Sequence, residues 1–191
     1  MKNIIVITLK LLIITVIAGM ILGVVNSVTK EPIAEQALNE ANEARQAVFP
    51  GAADFKELDI DIPEEYAIIK EVYEALDADG NTIGITAAVI TKGYSSGLNL
   101  SVGIGADGLV KGVKLGSNNE SPGFGSRAPE ELLPQFDAGK SYEKPFDVVK
   151  RPAESENEIE AISGATITSK GIINAVNTVV EFYKQMAGGA Q

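Results

Sequence analysis

TIGITAAVITKGYSSGLNLSVGIGADGLVKGVKL (82–115) is the stretch on which the fold turns. Its first third, 82–92, is rich in β-branched residues, which favour pleated backbone. LNLSVGI (98–104) and LVKGVKL (109–115) flank Gly105-Ala106-Asp107-Gly108, which reads as a hairpin turn. Val110, Val113 and Leu115 do not keep one alternation, which places a β-bulge near Gly112. On the amino-terminal side, DADGN (77–81) is a second turn, and YAIIKEVYEAL (66–76) reads as the strand before it. The expected class is α+β, built on an antiparallel sheet of four to six strands.

Beyond residue 115 the pattern changes. GSNNESPGFGSRA (116–128) is a glycine-rich loop, followed by a short helix at 129–136 that Pro134 disturbs. DVVKRPAESENEIE (147–160) is polar and reads as exposed. EAISGATITSK (160–170) then leads into a helix whose buried stripe is Ile172, Ile173, Val176, Val180 and Tyr183. Thr168 or Ser169 is expected to cap that helix.

The other end is a different material. Residues 11–28 form an uncharged apolar run, and 4–9 extend it past Lys10. That is enough helix to cross about 30 Å of hydrocarbon, with Lys10 reaching the headgroups. A cleaved signal peptide is the competing reading. The long apolar run and the lack of a small-x-small site favour a retained anchor at 1–28. Lys2 and Lys10 precede the core and place the amino terminus inside, although Lys30 opposes that bias. The expected location is therefore the cell membrane, single-pass, with the main domain on the extracytoplasmic face. A membrane-proximal helix is expected at 29–50, with Thr29 as a cap, Pro32 in its first turn, and Ala34, Ala37, Leu38, Ala41, Ala44 and Val48 at helical spacing. Residues 51–191 make the folded domain.

Charge and composition remove several classes of function. All 26 acidic residues, against 14 of the 16 basic ones, lie beyond residue 28 of this chain of net charge -10. That surface repels nucleic-acid phosphates. There is no Cys and no His, so iron–sulfur ligation by Cys, thiol redox chemistry and His-based acid–base work are excluded. Electrons handled by this chain would need a bound organic cofactor. No metal site is expected: DADGN lacks the later bidentate glutamate of a calcium loop. Asp77, Asp79 and Asp107 read as turn residues. Lys92, Lys111 and Lys114 read as solvated strand residues before phosphate ligands, and Tyr94 and Tyr142 as side chains able to touch a ring.

Ser163-Gly164-Ala165-Thr166 is a low-bulk turn before a helix. There a hydroxyl can stand clear, and free N–H groups suit a phosphate. Chemistry alone makes it a cap and turn. It resembles, however, the S/T-G-A-T flavinylation motif, whose last threonine is esterified to the phosphate of FMN. With the VNSVTKEPI exit (25–33), KGYSSGLNLSVGI (92–104), NESPGFG (119–125) and the SGATITS helix start, the chain resembles the G subunit of the Rnf ion-translocating electron-transport complex. It is similar, more distantly, to the C subunit of the sodium-pumping NADH:quinone reductase.

The resemblance implies an FMN tethered to Thr166, with Ser163, Gly164 and Ala165 shaping the turn and Thr168 and Ser169 near the phosphate. Glu120, Ser121, Pro122, Gly123, Phe124 and Gly125 match the family's E-T-P-G-L-G loop against the flavin, with Ser121 and Phe124 as departures. Glu160 stands where an aspartate commonly precedes the motif. No residue is implied as a catalyst; Thr166 is a tether. The implied partners are the other membrane and peripheral subunits and, during maturation, a flavin transferase. The implied net reaction is exchange between ferredoxin and NAD coupled to ion movement, this chain relaying electrons. The resemblance does not imply that this chain itself binds nicotinamide. Two other readings stay open: a flavin relay of the quinone-reductase type or a stand-alone one, and a non-redox anchored binding or assembly protein.

Overall fold

The structure is a computed structural model that describes residues 2–188. Met1 and residues 189–191, at the ends of the expected anchor and domain, lie outside the described residues, as do the side chains of Lys2, Asn3, Ala34 and Ser96. The chain divides into two compact units, one up to Asn42 and one from Glu43 onward.

Helix α1 (Lys2–Val48) runs without a break through both expected amino-terminal segments, with Pro32 inside it. Thr29 does not cap a new helix. Its hydroxyl donates to the Val25 carbonyl at 2.9 Å, one turn back in the same helix. Within the first unit the apolar side chains from Ile4 to Val28 are exposed. Among the described residues this is the one helix long and apolar enough to cross a membrane. A helix satisfies its own backbone hydrogen bonds, which is the condition for lying in hydrocarbon.

The second unit is built on a six-stranded antiparallel sheet, β1-β2-β3-β4-β5-β6, in sequence order. Its strands are β1 (Asp54–Glu57), β2 (Ile69–Leu76), β3 (Thr82–Lys92), β4 (Ser96–Gly105), β5 (Leu109–Leu115) and β6 (Lys140–Ser141). The turn before β3 closes as expected: Asp77 Oδ1 accepts the N–H of Asp79 at 2.9 Å and of Asn81 at 2.8 Å. Hydrogen bonds hold the Asp77 carboxyl below the usual carboxylate range, that from the Asn81 side chain first among them. The bulge is also where the broken alternation put it. Gly103 pairs with Gly112 and Ile104 with Val110, so Lys111 is the extra residue.

That glycine pair has a packing role. A Cβ on Gly103 would stand 2.4 Å from the Val48 carbonyl oxygen, and one on Gly112 would stand 3.1 Å from Val48 Cα. The last turn of α1 therefore lies directly on bare sheet backbone. Phe49 beside it forms a small cluster with Ala52 and Ala75. Arg45 lies 3.6 Å over the Tyr73 ring and 3.3 Å from Glu71 Oε2. This cation sits in the last helical turn, where the helix dipole favours it.

The sheet's other face carries the main core. Val72, Ile85, Ala87, Val89, Leu100, Val102 and Ile104 meet α3 (Thr166–Gly188), which packs on β3 and β4. Ile172, Ile173, Val176 and Val180 are buried in α3 as the stripe predicts, joined by Ala175, Val179 and Phe182. Tyr183 is only partly buried.

Two expectations are corrected. The helix expected at 129–136 is one turn of α-helix, α2 (Ala128–Glu131), followed by a 3-10 turn, Leu133–Phe136. Pro134 cannot supply the N–H that would continue α2. Residues 147–160 are not simply exposed. β7 (Asp147–Val149) and β8 (Glu158–Glu160) pair in parallel, and Ile159 is fully buried. Arg151 ties their connection together, donating to both Glu158 oxygens at 3.0 and 2.8 Å.

Candidate cofactor site

The start of α3 and the loop at 119–125 meet at a cavity of about 410 Å³. That lies within the size range of small-ligand sites. The α3 side is set by a tight turn. Gly164 has φ +79°, a left-handed conformation that glycine adopts without strain. The Phe124 ring lies 3.1 Å from where a Gly164 Cβ would be, so a side chain there would also meet the ring. Ala165 N–H donates to the Ile162 carbonyl at 2.9 Å to close the turn.

α3 begins at Thr166, so Thr168 and Ser169 lie inside its first turn and do not cap it. Both are buried and engaged. Ser169 Oγ donates to the Ala165 carbonyl at 3.0 Å and accepts the Ile162 N–H at 3.0 Å. Thr168 Oγ1 donates to Glu120 Oε2 at 2.5 Å. The Thr166 hydroxyl makes no hydrogen bond among the described residues, and Thr166 is half-buried in the cavity wall. The N–H groups of a first helical turn have no intrahelical acceptor. Thr166, Ile167 and Thr168 line the cavity at that turn.

Ser169→Ala is expected to cost about 1–2 kcal/mol, because it strands the Ile162 N–H in a buried place. Denaturant unfolding would read it, and an unchanged midpoint would mean that another acceptor takes over.

The opposite wall is the loop. Glu120, Ser121, Phe124 and Gly125 line the cavity with Gly164, Ala165, Thr166 and Thr168. The structure thus joins at one cavity two segments, far apart in the chain, that the resemblance sets against one flavin. Ser163, Pro122, Gly123 and Ser169 do not line it. Ser163, Pro122 and Gly123 are exposed, and Ser169 braces the turn from behind. Gly123 has φ +78° and donates its N–H to Ser126 Oγ at 3.0 Å, which turns the loop back toward Gly125.

Two lining residues carry little weight in the sequence alone. Tyr94 is 71% exposed and Ile167 59%, beside Phe124 at 52%. Beyond α1, the exposed large apolar side chains among the described residues are these three and Ile90. The gathering of Tyr94, Phe124 and Ile167 at one cavity leaves a wall able to cover a flat aromatic ring. Tyr142 is elsewhere, edge-on to Tyr183 at 6.2 Å with its hydroxyl donating to the Gly105 carbonyl. Lys111 is paired with Asp107. Lys111 and Lys114 border a separate cavity of about 390 Å³ that holds none of the predicted site residues. Glu160 is exposed and is tied through its backbone to the Gln135 side chain at 2.8 and 3.1 Å. No cluster of acidic side chains among the described residues could hold a metal ion.

Residues 93–181, which contain every wall of this cavity, match the FMN-binding domain family. Over 94% of its length the chain is 35% identical to the G subunit of the Na+-translocating ferredoxin:NAD+ oxidoreductase complex of Acetobacterium woodii, 91% of which is covered. The chain belongs to this G-subunit family. It is also 28% identical to the G subunit of the proton-translocating ferredoxin:NAD+ oxidoreductase complex of Clostridium ljungdahlii, over 98% of this chain and 96% of that one. The G subunit of the ion-translocating oxidoreductase complex of Methanosarcina acetivorans is 23% identical over 98% of both chains. The fold is that of the C subunit of the Na+-translocating NADH-quinone reductase from Parabacteroides distasonis. The TM-score is 0.52 at 20% identity, over 78% of this chain and 94% of that one.

The site fits FMN by its own construction. A cavity of suitable size joins a glycine turn that brings backbone close, an open helix start suited to phosphate, and exposed aromatic faces suited to the ring system.

Proposed function

We propose that this G-family protein relays electrons within a membrane-bound, ion-translocating ferredoxin:NAD+ oxidoreductase complex, with FMN joined to Thr166 through a phosphoester. One observation carries the attachment. Of the hydroxyls at 166, 168 and 169, only that of Thr166 is both uncommitted and in the cavity wall. A tether keeps the cofactor from escaping a domain that faces away from the pool that supplies it. Bound FMN supplies one- and two-electron chemistry, and the chain supplies the seat and its electrostatics.

In this proposal the loop 120–125 and Tyr94 cover the ring, and the first turn of α3 faces the phosphate. A flavin transferase installs the group, and the other members of the complex deliver and remove electrons. α1 anchors the chain, with the folded domain on the extracytoplasmic face. The full-length likeness to three G subunits favours this over the quinone-reductase protein, with which the resemblance is one of fold.

Intact mass tests the proposal. Full-length protein made with a flavin transferase should carry one FMN adduct through denaturation, and protein made without it should carry none. An unmodified chain under both conditions would leave the anchored binding protein as the better account.

A further inference from the structure

Glu120 is the feature of the site that tethering leaves unexplained. Its side chain is buried, at 7% exposed, yet it lines the cavity. Oε1 accepts the Ser95 N–H at 2.9 Å, and Oε2 accepts the Thr168 hydroxyl at 2.5 Å. Its own N–H donates to Asn118 Oδ1 at 3.1 Å. No Lys or Arg among the described residues forms an ion pair with it. A buried carboxylate without a cation is costly unless its oxygens are hydrogen-bonded, and an apolar residue would fill the space more cheaply.

The surrounding backbone is also shaped around it. A Cβ on Gly93 would stand 2.6 Å from Oε1, and a Cβ on Gly125 would stand 2.2 Å from Oε2. Two glycines from different segments thus leave room for one carboxylate. Loop, strand turn and helix start are pinned together through it.

We propose that Glu120 is a positioning residue that also sets the potential of the group held in this cavity, lowering it by placing a fixed negative charge in the wall. This rests on the flavin reading above. Electrons delivered to a ring add negative charge unless protons accompany them in equal number. A neighbouring carboxylate in a site of low dielectric opposes that addition. Glu120 would therefore keep the bound group a stronger reductant than the same cavity without the charge. Thr168 and Ser95 hold the carboxylate in place and do not remove its charge.

The test is a redox titration of full-length flavin-loaded protein with mediator dyes, on wild type, Glu120→Gln and Thr168→Val, with intact mass confirming the adduct in each. Glutamine can keep the contacts, since its carbonyl can accept the Ser95 N–H and its amide can donate to Thr168, so the variant isolates charge. The expected result is a more positive midpoint for Glu120→Gln and a midpoint for Thr168→Val that is unchanged or more negative. An unchanged midpoint in Glu120→Gln, or equal positive shifts in both variants, would overturn the proposal in favour of a purely structural carboxylate. Should Glu120→Gln fail to fold, Thr168→Val decides alone: a positive shift overturns the proposal, and none supports it. Absence of the adduct from wild type would instead refute the flavin reading, so the two failures are distinguishable.

Discussion

Thr166→Ala is expected to give folded protein from which no flavin survives denaturation, while Thr166→Ser keeps the adduct. The change in stability should be small, under about 0.5 kcal/mol, because the half-buried Thr166 makes no hydrogen bond through its hydroxyl among the described residues, and alanine suits a first helical turn. The loss of adduct should be complete, because the other hydroxyls of the turn and helix start are committed or lie outside the cavity. Thr168 is buried and donates to Glu120. Ser169 is fully buried and holds both Ala165 and Ile162. Ser163 is exposed but lies outside the cavity. Intact mass and in-gel flavin fluorescence after denaturation would read the result. Adduct retained by Thr166→Ala and lost by Thr168→Val would move the acceptor to Thr168 and require the first turn of α3 to open.

Much of the fold is legible in the sequence, for local reasons. β3 is visible because β-branched residues fill 82–92 between two turns, and it occupies Thr82–Lys92. The bulge is visible because one inserted residue breaks a period of two. The stripe of α3 is visible because it covers three turns. β7 and β8 are not, because three-residue strands have no period to read and Ile159 is a lone apolar residue among charges. The capping role expected of Thr168 and Ser169 fails because their hydroxyls are used across the fold. One reaches Glu120, 48 positions away, and the other reaches back to the turn at Ala165 and Ile162.

From the residues alone the site is legible as two motifs, and only the resemblance puts both against one flavin. Composition cannot show that the 119–125 loop faces Ser163–Thr166, since only the packing of α3 against β3 and β4 brings them together. Tyr94 and Ile167 are hard to weigh for the same reason: an exposed apolar residue has meaning only beside others. The glycines at 93 and 125 look like loop punctuation in sequence. In the fold they are the space that a carboxylate occupies.

That packing includes one very close backbone approach, and replacing the residue there should have a large effect on stability. Gly171 lies on the face of α3 turned to the end of β3, where an added Cβ would stand 2.2 Å from the Lys92 carbonyl oxygen. Real Cβ atoms essentially never come within 3.0 Å of such an atom, and here the neighbour is backbone, so α3 itself must move. Alanine gains about 1 kcal/mol over glycine in helix propensity. The forced displacement of a well-packed helix should outweigh that gain, leaving Gly171→Ala destabilised by about 2 kcal/mol and Gly171→Val by about 3 kcal/mol or more. Gly188, at the far end of the same helix, meets nothing within 4 Å. Gly188→Ala should therefore be neutral or slightly stabilising, and the contrast separates clash from propensity. Denaturant unfolding of the three variants would measure it. Moving α3 away from Lys92 also draws Thr168 from Glu120, so flavin loading in Gly171→Val should fall along with stability. A Gly171→Ala protein as stable as wild type would mean that helix and strand approach less closely than this geometry requires, and the clamp on Glu120 would then have to be held by the loop alone.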